Sequence, residues 1–89
     1  FKPALIGLGS AYERKGSIEE AKKIYSKVLK IYPETASVYV SLGNVLFKEG
    51  KLDEAIVNYR KALELEPDFE VARKNLDIAI KLLERENNE

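Results

Sequence analysis

Residues 43–67 read GNVLFKEGKLDEAIVNYRKALELEP, and residues 9–33, GSAYERKGSIEEAKKIYSKVLKIYP, carry the same punctuation 34 positions earlier. Gly9 pairs with Gly43, Gly16 with Gly50 and Pro33 with Pro67, so one offset accounts for six of the eight Gly and Pro residues. Laying residues 2–35 on 36–69 without a gap also matches Leu8 to Leu42, Glu20 to Glu54, Ala21 to Ala55, Tyr25 to Tyr59, Lys27 to Lys61 and Leu29 to Leu63. A period of this length marks a supersecondary unit that stacks on copies of itself, because one unit alone cannot cover its own apolar face.

Within each unit the spacing predicts two helices. Leu52, Ala55, Ile56, Tyr59, Ala62 and Leu63 recur as a stripe down one helical face. Val38, Tyr39, Leu42, Gly43, Val45 and Leu46 do the same before Gly50 breaks the run. Ser17 with Glu20 fits a capping box, and the acids Glu19, Glu20, Asp53 and Glu54 sit in first turns, where the helix dipole favours them. Pro33 and Pro67 close the second helices, since proline lacks an amide donor and disfavours helix in the residue before it. From Glu70 a further helix presents Ala72, Leu76, Ala79, Ile80 and Leu83 on one side and is expected to fray through Arg85, Glu86, Asn87, Asn88 and Glu89.

Composition narrows the chemistry. Eighty-nine residues at 45% hydrophobic and 34% charged make one small domain. Fifteen basic against fifteen acidic residues leave no net field to draw in nucleic acid or an anionic membrane. The chain has no Cys and no His, so disulfides, thiolate nucleophiles, imidazole bases and the usual zinc ligands are absent. No metal, no cofactor and no catalysis are expected. Apolar runs are too short to span a bilayer. The chain begins at Phe1 rather than Met, which suggests a piece of a longer polypeptide and leaves its compartment undetermined.

The 34-residue period, with Leu8, Gly9, Tyr12, Gly16, Ala21, Tyr25 and Pro33 in one copy and Leu42, Gly43, Leu46, Gly50, Ala55, Tyr59 and Pro67 in the next, resembles the tetratricopeptide repeat. The resemblance implies an all-α superhelical solenoid: one repeat at 2–35, a second at 36–69, and a solvating C-terminal helix at 70–89. Gly9 with Ala21 and Gly43 with Ala55 are read as sites where helix axes approach, and Tyr25 and Tyr59 as filling the space toward the neighbouring unit.

By the same resemblance, the first helix of each unit lines a concave groove that binds a protein or an extended peptide. With Leu8, Gly9 and Tyr12 turned to the core, rotation places Ile6, Ser10, Glu13 and Arg14 in the groove, then Val40, Ser41, Asn44, Phe47 and Lys48, then Lys74, Asn75, Ile78 and Lys81. Ile6, Val40 and Phe47 are expected to form an exposed apolar floor. Asn44 and Asn75 are the sharpest candidates, because an amide both donates to and accepts from a peptide backbone. They fall at two positions of the carboxylate clamp of chaperone-binding members, but Val40 stands where that clamp has a lysine. Asparagines here equally suit helix-to-helix hydrogen bonds. Arg14, Lys48, Lys74 and Lys81 would favour acidic partners, or simply form a solvated face. The alternative function is a structural segment that self-associates through the exposed face of the N-terminal repeat.

Overall fold

The computed structural model describes residues 1–88, in which five helices follow one another: α1 Lys2–Lys15, α2 Ile18–Ile31, α3 Ala36–Lys48, α4 Leu52–Leu65 and α5 Glu70–Asn87. The chain is all-α and has the helical-repeat architecture, with α1 against α2, α3 against α4, and the second pair joined to the first through α2 and α3. α5 packs on α4 and reaches α3. The resulting body measures 44 × 29 × 18 Å.

The two turns inside the pairs explain the glycine period. Gly16 and Gly50 adopt φ of 84° and 80°, a region that a Cβ makes costly. The amide of Ser17 then reaches the Tyr12 carbonyl at 2.9 Å and that of Gly16 reaches Glu13 at 3.0 Å. Lys51 to Leu46 at 2.9 Å and Gly50 to Phe47 at 3.0 Å repeat the geometry, so the last helical carbonyls are satisfied inside the turn. The expected capping box is not made: Ser17 is the N-cap of α2 but makes no side-chain cap hydrogen bond. Its amide, which Glu20 would have taken, is already committed to Tyr12. Lys51 builds the same turn without a hydroxyl.

Two apolar clusters fill the interior. Ala21, Tyr25, Val28, Val38 and Val45 form the first; Ala55, Tyr59, Ala62, Ala72 and Ala79 lie at the heart of the second. Leu42 packs against both, so one continuous core runs through α3. Ala72 and Ala79 of α5 are fully buried, which closes the second cluster at its far side. α5 does not fray from Arg85 as the polar tail suggested. It continues to Asn87, where the Asn88 amide donates to Glu84 and Arg85 carbonyls. Glu89, the last residue of the predicted fray, lies outside the described residues.

Three packing expectations are corrected. Leu8 is 43% exposed rather than turned into the core. Among the described residues no helix lies against that side of α1, whereas its counterpart Leu42 is enclosed from both sides. Val40, expected on the groove floor, is 5% exposed and belongs to the second cluster, because α3 is flanked by both α4 and α5. Ile6 and Phe47 are half-buried against their clusters, so the exposed apolar floor does not form as drawn. The glycine pair Gly9 and Gly43 also has a different reason. A Cβ at either would lie 2.6 Å from Cε1 of Tyr25 or Tyr59, so each glycine makes room for the tyrosine ring of its own unit.

Candidate functional site

Because each tyrosine ring lies across its glycine, its hydroxyl emerges on the side of α1, α3 and α5. A buried phenol needs a polar partner there. Tyr59 donates to Asn44 Oδ1 at 2.6 Å, and Asn75 Nδ2 of α5 donates to the same oxygen at 2.9 Å. Both lone pairs of that carbonyl are therefore in use. Burial pushes the Tyr59 phenol up to about 12, keeping it a donor throughout the neutral range.

Thirty-four residues earlier the arrangement recurs with different chemistry. Tyr25 donates to Glu13 Oε1 at 2.8 Å, with Ser10 3.4 Å away and Ser41 of α3 beside it. Burial raises this phenol as well, the Glu13 carboxylate adding to it and Ser10 opposing it. The second Glu13 oxygen receives Lys48 Nζ at 3.2 Å, a link from α3 back to α1. On the opposite side Lys22 bridges Glu49 at 2.9 Å and Glu19 at 3.1 Å, and those hydrogen bonds hold its ammonium above the ordinary lysine value.

The candidate residues thus divide. Asn44, Phe47, Asn75 and Ile78 come together with Tyr59 around a pocket of about 220 Å³ between α3 and α5. Ser10 and Ser41 flank the Tyr25 hydroxyl, and the Ser41 hydroxyl donates to the Ser37 carbonyl at 3.2 Å. Arg14, Lys74 and Lys81 are exposed and form no ion pair among the described residues, whereas Lys48 is neutralised by Glu13. Val40 is buried, and Ile6 packs against the first cluster. From its spacing on the apolar stripe, Tyr59 is expected to serve packing alone. Its place in the pocket was foreshadowed by the glycine sixteen positions before it, since a ring seated on a helix backbone carries its hydroxyl past that helix. Among the described residues no cluster of three or more acids, His or Cys could hold a metal, and no helix is long and apolar enough to cross a membrane.

The tetratricopeptide repeat model matches residues 36–69, and a second model, described as TPR repeat, matches residues 9–50, so the two together span more than half of the chain. The chain belongs to the tetratricopeptide repeat family. TPR units are generally protein-interaction modules and generally non-catalytic. Among the similar proteins, Small glutamine-rich tetratricopeptide repeat-containing protein 2 of Mycosarcoma maydis is 33% identical over 75% of this chain and 19% of its own length. Protein CTR9 homolog of Arabidopsis thaliana is 33% identical over 74% of this chain and 6% of its own. Protein arginine N-methyltransferase 9 of Homo sapiens is 35% identical over 84% of this chain and 9% of its own. This TPR chain therefore spans less than a fifth of the length of these relatives, and the methyltransferase name belongs to the last of them.

Proposed function

We propose that the chain is a non-catalytic binding module that holds an extended segment of a partner protein across α1, α3 and α5. The observation that carries this reading is the Asn44–Asn75 pair. Its shared oxygen is saturated from within, while among the described residues the Asn44 Nδ2 group and the Asn75 Oδ1 atom make no hydrogen bond. One free donor and one free acceptor, held rigidly beside an apolar hollow, match the alternating needs of a peptide backbone and the side chain it carries. A hollow of about 220 Å³ is smaller than ordinary small-molecule pockets and suits a single side chain.

The test is selection from a displayed random-peptide library, followed by titration of the selected peptides. Ile78→Ser changes a half-exposed residue and leaves the core intact, so it is expected to weaken those peptides about tenfold. Lys23→Ala, on the exposed side of α2, is expected to change nothing. Equal effects of the two would defeat the groove reading.

The second reading, a structural segment of a longer array, is favoured by Leu8, 43% exposed on a side of α1 that a further unit would cover. Light scattering across concentration separates the two, because a chain that stays monomeric throughout argues against assembly.

A further inference from the structure

The seam where the α1–α2 pair meets α3 and the seam where the α3–α4 pair meets α5 carry different chemistry at the same repeat positions. At the first, consecutive residues at the end of α3 reach two different helices. Lys48 Nζ lies 3.2 Å from Glu13 Oε2 of α1, and Glu49 Oε1 lies 2.9 Å from Lys22 Nζ of α2. Glu19, 3.1 Å from Lys22, and Lys51, 3.9 Å from Glu49, extend the second pair into a row of alternating charges. Thirty-four positions later, Glu13 is replaced by Phe47, Lys22 by Ile56, Lys48 by Leu82 and Glu49 by Leu83. Ile56 is buried in the second cluster, Phe47 and Leu83 pack against it, and Leu82 is half-buried. Among the described residues no ion pair crosses this second seam, and its polar link is the neutral Asn44–Asn75 hydrogen bond.

Glu49 is the C-cap of α3, where the helix dipole disfavours a carboxylate, and Lys22 offsets that cost. Glu13, Lys22 and Glu49 are each less than a quarter exposed, so their pairs count for more than those of an open surface. Dissolved salt screens such charges. The apolar side chains of the second seam have no charge to screen. The first seam also has an apolar part, because Val38 and Val45 are fully buried with Ala21, Tyr25 and Val28. The α2–α3 contact is nevertheless smaller than the α4–α5 contact. Losing both ion pairs therefore weakens the first seam without dissolving it and leaves the second unchanged.

We propose that the first seam is a salt-operated hinge, closed by the Glu13–Lys48 and Lys22–Glu49 pairs and opened as ionic strength rises. The α1–α2 pair leaves α3 as one unit, turning about the short connection at 32–35, and uncovers Val38, Leu42 and Val45. Local openings of this kind are populated below the free energy of global unfolding, in cooperative units that follow supersecondary structure. The α3–α5 body, with its pocket, stays closed because its seam is apolar and neutral. Glu13 and Lys22 are positioning residues in this device, and its operation is independent of what the pocket binds.

The test is native-state amide hydrogen exchange of the 89-residue chain, read by NMR in about 0.05 M and about 1 M sodium chloride, the range over which screening becomes nearly complete. Amides of α1 and α2 are expected to share one opening that becomes about fivefold more populated in the high salt, relative to amides of α4 and α5 in the same sample. Lys22→Ile with Glu49→Leu places the second seam's residues in the first and should cut that response to about twofold, the part left to Glu13–Lys48. Lys22→Gln with Glu49→Gln, which adds no apolar group, should instead raise the opening about twofold in low salt and shrink the response equally. Lys23→Gln removes a charge from the same helix outside the pairs and should change neither quantity. An α1–α2 opening that salt leaves unchanged would overturn the hinge, as would an equal salt response in all five helices or a response that survives both double variants.

Discussion

A Cβ added at Gly43 would lie 2.6 Å from Cε1 of Tyr59, inside the contact distance of two carbons, and Tyr59 is only 1% exposed. The ring cannot retreat without leaving the Asn44 oxygen it is bonded to. Gly43→Ala should therefore destabilise the chain by about 1 kcal/mol or more, since overpacking outweighs the helix propensity that alanine gains. Gly7→Ala meets nothing within 4 Å and lies in the exposed interior of α1, so it should stabilise by about 0.5–1 kcal/mol. Urea denaturation of both variants reads the difference in sign.

Leu8 and Leu42 occupy the same position of successive units but not the same environment. Leu42 packs against both clusters, and Leu42→Ala should cost about 2 kcal/mol or more through the cavity it leaves. Leu8→Ala, at 43% exposure, should cost less than about 1 kcal/mol. Thermal melts that rank the two equally would contradict the burial described here.

Alkaline pH acts on Tyr59. Its folded value of about 12 lies above the ordinary 10.0, so the phenol's contribution is complete below pH 10 and is lost as pH rises from 10 toward 12. Stability should decline across that window. Ultraviolet titration of the folded chain should show a late-ionising phenol that Tyr59→Phe removes, and the same variant should flatten the stability decline.

The Lys22–Glu49 bridge ties α2 to the end of α3, with side chains 18% and 23% exposed. A double-mutant cycle with Lys22→Gln and Glu49→Gln should give a coupling of about 0.5 kcal/mol that shrinks in molar salt. The raised lysine value places this contribution below the ordinary lysine range and removes it as pH climbs past the folded value. No coupling at low salt would mean that the bridge does not hold the units together.

What the sequence alone determined was local. The 34-residue period, the five helices and the turns at Gly16 and Gly50 follow from helical spacing, left-handed glycines and proline stops, each written within a few neighbouring residues. Asn44, Phe47, Asn75 and Ile78 could be assigned to one side of their helices for the same reason, and they do meet at one pocket. Tertiary structure alone decided the burial of Val40, the exposure of Leu8, the Lys48–Glu13 link across 35 positions and the joining of Asn44 to Asn75 across 31. A side chain's position on a helix is set by that helix, whereas its burial and its partner depend on which other helices lie alongside it.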